Sequence, residues 1–234
     1  VYITGRTVDP AAPTVPAAGT IHETAAEVTA RGGIGIAVQC DHRDDAQVKA
    51  VFERIQREQG RLDVLVNNAW AGYEGYVTGA HQAPNTPFWD VRLPYWDENL
   101  DGVRWTYVSS VLGAQLMVAQ KSGLIVNISS IAATTGIGSN VAYCASKAAV
   151  NAMTLSLARA LAPAIRVVSV APGWVEGEYA KRMDPAILEA QRQKTPLARL
   201  AQSEDVAEAV LAVATSLRFS TGCIIPVDGG RPLN

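Results

Sequence analysis

Cysteine, histidine and long apolar runs are all scarce in this sequence. The three cysteines, Cys40, Cys144 and Cys223, stand far apart among 234 residues. Such a set offers neither a disulfide framework nor metal-ligand spacing, and a reducing cytosol is the expected compartment. The histidines, His22, His42 and His81, are equally scattered, so no metal site is expected. The longest apolar stretches, such as residues 124–128 and 167–171, are strand-sized, so no segment is expected to span a bilayer. Charge of one sign does not accumulate either. Twenty basic against 22 acidic residues give a net charge of −2, which gives nucleic-acid and membrane-surface binding little support. Val1 opens directly on strand-like residues 1–4, so an N-terminal piece is expected to precede it, and no signal or transit segment is expected from these residues.

What is present is an alternation of short apolar runs with longer amphipathic segments, the pattern of βαβ units and a parallel sheet. Strands are expected at residues 1–4, 34–39, 62–66, 124–128, 165–170 and 223–227, the third fully buried by its composition. Helices are expected at 22–30, 44–59, 102–119, 142–161, 186–193 and 205–216. In the second helix Val48, Val51, Phe52 and Ile55 share one face, and Gly60 follows its end. Residues 7–19 read as a loop, and 70–98 as a long aromatic stretch rich in Gly and Pro. No internal repeat and no interdomain linker interrupts this order. The expected fold is α/β: a Rossmann-like, doubly wound parallel sheet in three layers, one domain over residues 1–234.

The strongest chemical signal is Tyr143-Cys144-Ala145-Ser146-Lys147. Residues four apart on a helix lie on one face, so Tyr143 and Lys147 are neighbours. A tyrosine hydroxyl is a weak acid, with a reference pKa of about 10. A nearby ammonium favours phenolate, so Lys147 is expected to lower the pKa of Tyr143 and make proton exchange with a substrate oxygen possible. Ser130 follows the fourth strand, at the carboxyl end where open α/β sheets bind ligands. Its hydroxyl could hold a carbonyl or alcohol oxygen. Cys144 has no histidine beside it and reads as a packed residue rather than a nucleophile.

On these residues the chain resembles the short-chain dehydrogenase/reductase family, over essentially its whole length. Leu62-Asp63-Val64-Leu65-Val66-Asn67-Asn68-Ala69 is similar to the family's Asn-Asn-Ala-Gly strand end. Asp41 resembles its adenine-contacting Asp, and Ala171-Pro172-Gly173-Trp174-Val175 the segment bordering the nicotinamide. Pro196-Leu197-Ala198-Arg199-Leu200, Thr221-Gly222 and Val227-Asp228-Gly229-Gly230 are similar to its C-terminal signature. The resemblance implies an NAD(P)-binding oxidoreductase that interconverts a carbonyl and an alcohol. It implies Tyr143 as general acid/base, Lys147 on the nicotinamide ribose, and Ser130 orienting the substrate. Arg6, Asp41, Asn68, Ala69, Tyr143, Lys147, Pro172, Gly173 and Val175 become the cofactor-binding set. At the end of the first strand, Gly5 stands where NAD-preferring members carry an acid, and Arg6 follows. A guanidinium suits a 2′-phosphate through paired hydrogen bonds, so NADP(H) is favoured over NAD(H). Homodimers or homotetramers are implied, with residues 102–119 and 142–161 as the dimer faces.

Several features depart from the family. Its first strand, glycine-rich turn and first helix have no counterpart after Val1, and about 30 further residues are expected upstream. Residues 31–37, Arg31-Gly32-Gly33-Ile34-Gly35-Ile36-Ala37, follow a helix rather than a strand and read as a helix cap. The fourth catalytic position, an Asn in the family, falls on Gly102 by ungapped alignment, with Asn99 about one turn earlier. Trp70 replaces the glycine of the strand-end motif, and it either shapes the substrate mouth or packs outward. Gly177 stands where the family often has Thr. Nine of the fifteen aromatic residues, including Tyr73, Tyr76, Phe88, Trp89, Tyr95 and Trp96, fall between Trp70 and Tyr107. They suit an apolar pocket, core packing or a subunit contact. Residues 176–199 resemble the family's substrate lid. A non-catalytic binding or scaffold protein on the same fold is the alternative. A Ser130–Lys147 hydrolase lacks a visible oxyanion hole or nucleophile elbow.

Overall fold

The computed structural model describes residues 1–13, 19–70, 72, 86–177 and 180–233. Tyr73, Tyr76, His81 and Glu178 lie outside the described residues. The rest divides into two compact units, one from Val1 to Gly60 and a larger one from Arg61 onward.

In the first unit β1 (Tyr2–Gly5) and β2 (Ile36–Gln39) pair in parallel. Helix α1 (Ile21–Ala30) begins at Thr20, whose hydroxyl accepts from the Glu23 N–H while the Glu23 carboxylate accepts from the Thr20 N–H. This reciprocal cap satisfies two otherwise orphaned donors. The chain then returns to β2 so closely past α1 that a Cβ on Gly35 would stand 1.9 Å from the Ala25 carbonyl oxygen. The glycines of residues 31–37 thus serve the helix-to-strand passage. Helix α2 (Asp45–Gln59) buries Val48, Val51, Phe52 and Ile55, the face that its spacing predicts. The Tyr2 hydroxyl donates to Glu58 Oε2 at 2.8 Å and ties β1 to the end of α2.

The second unit holds a parallel sheet in the order β3 (Val64–Asn67), β4 (Gly123–Ile128), β5 (Ile165–Pro172), β6 (Cys223–Val227). Its helices are α3 (Pro94–Gln120), α4 (Ala132–Thr135), α5 (Val141–Leu161), α6 (Pro185–Gln193) and α7 (Ser203–Thr215). The two-residue period of the strands splits the core. Ile125 and Val167 pack with Met117 of α3 and Ala158 of α5. Leu124, Val126, Val168 and Val170 pack on the opposite face with Val213 of α7. Helices therefore cover both faces of this sheet, the three-layer arrangement of a doubly wound fold. One polar row crosses it. Asn67, Asn127 and Ser169 stand side by side in register on β3, β4 and β5. Asn127 accepts from Asn67 Nδ2 at 2.9 Å and donates to Thr154 Oγ1 of α5 at 2.9 Å.

Two expectations need correction. The helix expected at 102–119 begins at Pro94, two turns earlier. Proline is tolerated in a first turn because its missing N–H would have no partner there. The third strand is not fully buried: Val64 is 39% and Val66 43% exposed. β3 is an edge strand that pairs only with β4 among the described residues. No described helix is long and apolar enough to cross a membrane.

Candidate active site

The carboxyl ends of β4 and β5 and the first turns of α5 bring the candidate residues together. The strand ends are tied by Ser129 N–H donating to Val170 O at 2.8 Å and Ile131 N–H donating to Pro172 O at 3.1 Å. The Ser129 hydroxyl donates to the Lys147 carbonyl at 3.2 Å, which fastens α5 to the end of β4. This framework carries Ser130 beside Tyr143 and Lys147.

Ser130 is buried, and its hydroxyl oxygen accepts from the Ala132 N–H at 3.2 Å. Lys147 is also buried, and its Nζ donates to the Ile128 carbonyl at 3.0 Å. Desolvation disfavours its charged form and pulls its pKa down from 10.5 to about 8. The ammonium lies 5.8 Å from the centre of the Tyr143 ring. Burial pushes the Tyr143 hydroxyl above the usual tyrosine value, and hydrogen bonding to Ser130 opposes this without outweighing it. The expected lowering of the Tyr143 pKa by Lys147 is thus corrected. Desolvation of the phenol dominates, and Lys147 is not among the groups that set the shift. The group can nonetheless hold an oxygen against Ser130 and present a phenolic proton to it.

Around this group stands an aromatic and amide cluster that the sequence left open. Trp70 meets the Tyr143 ring edge-on, with centroids 5.3 Å apart and planes at 70°. Its Nε1–H donates to Asn99 Oδ1 at 3.4 Å. Trp70 thus packs against Tyr143 and Asn99. Because α3 starts at Pro94, Asn99 lies inside the helix and is fully buried. Gly102 is buried one turn later, and its carbonyl accepts from the Thr106 hydroxyl at 3.0 Å. Tyr95 and Asn140 were not singled out as a pair, yet the Tyr95 hydroxyl donates to Asn140 Oδ1 at 2.5 Å. They are 45 residues apart, and no local pattern could have joined them. Asn127, the hub of the polar row, was also missed. Its signal is an amide within an apolar strand.

The expected cofactor residues fall in both units. In the larger one, Asn68 and Ala69 follow β3 and are exposed. Pro172 ends β5, and Gly173 N–H donates to Val227 O at 2.9 Å. Val175 forms an isolated parallel bridge with Ala201. Beyond it, Glu176 accepts from Arg192 Nη2 of α6 at 2.6 Å and from Gln202 Nε2 at 2.9 Å, anchoring the lid-like segment. In the smaller unit, Arg6 follows β1 and is partly buried. Asp41 is held by Arg43 Nη2 at 2.6 Å. That hydrogen bonding, with Arg6 adding to it, lowers the Asp41 carboxyl pKa to about 2. Cys144 is a free thiol whose pKa burial raises, which suits packing rather than nucleophilic attack. No cluster of potential metal ligands occurs among the described residues.

Comparison with known proteins converges on one family. A family model described as enoyl-(acyl carrier protein) reductase matches residues 14–231. The chain is 40% identical over 184 residues to mouse dehydrogenase/reductase SDR family member 1, covering 77% of this chain and 54% of that protein. It thus spans about half the length of that curated relative. It is 33% identical over 189 residues to the 3-oxoacyl-acyl-carrier-protein reductase of Thermotoga maritima, covering 80% of this chain and 73% of that one. Among solved structures, the NADPH-dependent 3-quinuclidinone reductase of Rhodotorula rubra aligns with a TM-score of 0.79 and 26% identity. The alignment covers 100% of this chain and 82% of that one.

Proposed function

The chain belongs to the short-chain dehydrogenase/reductase family, and from that premise we propose that it interconverts a carbonyl and an alcohol using NADP(H). The observation that carries this reading is the buried group of Ser130, Tyr143 and Lys147 at the carboxyl end of β4. Bound nicotinamide would supply the hydride. The chain's own residues do the rest. Ser130 holds the substrate oxygen in place. Tyr143 gives that oxygen a proton in reduction and removes one in oxidation. Lys147 spends one N–H on Ile128 O, and two remain to hold a ribose hydroxyl. Pro172, Gly173 and Val175 would border the nicotinamide, and Asn68 and Ala69 would pass beside the cofactor. In the smaller unit, Asp41 would meet the adenine, and Arg6 would pair with a 2′-phosphate. Gly5 supports that preference, since no carboxylate stands before Arg6 to accept from a ribose 2′-hydroxyl. The NADPH dependence named for the Rhodotorula enzyme points the same way.

Two further expectations join this proposal. Copies would associate through α3 and α5. Tyr107, Val111 and Val118 are exposed on one face of α3, as are Val141 and Leu155 on one face of α5. The free thiols fit a reducing compartment such as the cytosol.

The test is a screen of ketones, aldehydes and acyl thioesters with NADPH, followed by Tyr143→Phe. The variant should keep the circular dichroism spectrum and thermal midpoint of the parent. Turnover should fall by about 10²–10⁴-fold, the usual contribution of a positioned acid/base. Undiminished turnover in Tyr143→Phe would refute the mechanism. Saturable NADPH binding without turnover of any substrate would favour a scaffold on this fold.

A further inference from the structure

Position 70 puts a large indole beside the phenol that carries the proposed proton. The contact is built from several sides. The indole meets Tyr143 edge-on at 5.3 Å between centroids. Its N–H reaches Asn99 Oδ1 at 3.4 Å. Asn99 is itself fixed, fully buried with its Nδ2 donating to the Tyr95 carbonyl at 2.9 Å. Gly72 leaves room for the ring, since a Cβ there would stand 2.5 Å from the indole Cζ2. A tryptophan pinned at its N–H and hemmed by a glycine has little rotational freedom left.

We propose that Trp70, held by Asn99, is a positioning residue for Tyr143: the indole shields one side of the phenol from water and fixes the direction in which its hydroxyl points. The inference deepens the proposed function and rests on Tyr143 as the proton carrier. Asn99 thereby has a task distinct from a fourth catalytic position, because its amide oxygen is turned to the indole. The physical effect is twofold. A desolvated phenol ionises less readily, so shielding by Trp70 raises the cost of phenolate. A fixed ring keeps the reacting atoms aligned, and small misplacements reduce kcat strongly. The titratable groups near Tyr143 among the described residues are Lys147 and Cys144 on its own helix and Tyr95 on α3. None of these is itself substituted in Trp70→Ala.

The experiment labels the full chain with 3-fluorotyrosine, whose ring fluorine brings the phenol titration to milder pH. Tyr143 is followed by fluorine NMR, its signal assigned by its loss in Tyr143→Phe. Trp70→Ala should lower the titration midpoint by about half a unit or more, because water gains access to the ring. Trp70→Phe keeps a ring without the N–H and should fall between the two. Asn99→Ala should shift the midpoint the same way, by less. In turnover, Trp70→Ala should lower kcat at least about tenfold with a much smaller change in KM. An unmoved or raised midpoint in Trp70→Ala overturns the proposal, as does a raised KM with unchanged kcat, which would make Trp70 a substrate wall. Should Trp70→Ala not fold, Trp70→Phe and Asn99→Ala decide by the same midpoint. The titration needs no turnover, so it stands apart from the Tyr143→Phe test of the reaction itself.

Discussion

Lys147 keeps an ammonium where little water reaches it, and that has a measurable cost. Its pKa in the fold is about 8, against 10.5 for the free side chain. Between those values the unfolded chain holds a proton that the folded chain has released. Stability from this group therefore rises as pH climbs from about 8 toward 10.5, by up to about 3 kcal/mol. Below pH 8 both states are protonated, and the folded one bears the full desolvation penalty. Lys147→Met should abolish the rise. Urea unfolding of both proteins across this range gives the difference directly, and parallel curves would show that Lys147 is well solvated. The tyrosine, lysine and serine were legible in the sequence because two of them share a helix face and the third ends a strand. The order of their electrostatics was not. Spacing tells that an ammonium is near a phenol, but only the fold tells that burial of the phenol dominates its titration.

Elements were legible wherever their end signals are local. Gly60 after α2 marks the end of that helix in the sequence, and the structure uses it; Asp44, expected as the first helical residue, is its N-terminal cap. The Asp44 carboxylate accepts from the Ala46 N–H at 2.9 Å, and Gly60 sits at φ +67°. Asp44→Ala should cost about 1 kcal/mol, read as a lower urea midpoint at unchanged slope. No change would mean that water caps the helix as well as the carboxylate does. Helix α3 shows the opposite case. Leu93 before it offers no side-chain cap, and Pro94, Tyr95 and Trp96 resemble the aromatic stretch that precedes them. With the start misplaced by two turns, Asn99 reads as a residue outside the helix, and its bond to Trp70 across 29 positions leaves no local trace. The composition of β3 likewise announces burial on both faces. Composition cannot say whether a strand has neighbours on both sides, and this one has a single neighbour among the described residues.

At the scale of the molecule, the outward faces of α3 and α5 should decide assembly. A charge placed among apolar side chains is costly when a partner buries it. Tyr107→Glu combined with Val118→Glu should therefore reduce the sedimentation coefficient to that of a single chain while leaving the circular dichroism spectrum intact. An unchanged coefficient would place the contact elsewhere or leave the chain monomeric. The edge position of β3 has a different consequence, one that reads as a clock. Backbone N–H groups along a strand alternate in direction, so on β3 every second amide faces the side where no described strand pairs. Those amides need no opening event before they trade protons with the solvent. The amides of β4 and β5 lie between paired strands and wait for the largest openings of the fold. Brief immersion in heavy water should therefore mark alternate residues of β3 first and move inward across the sheet. Protection on β3 equal to that on β4 would reveal a further strand lying against its edge.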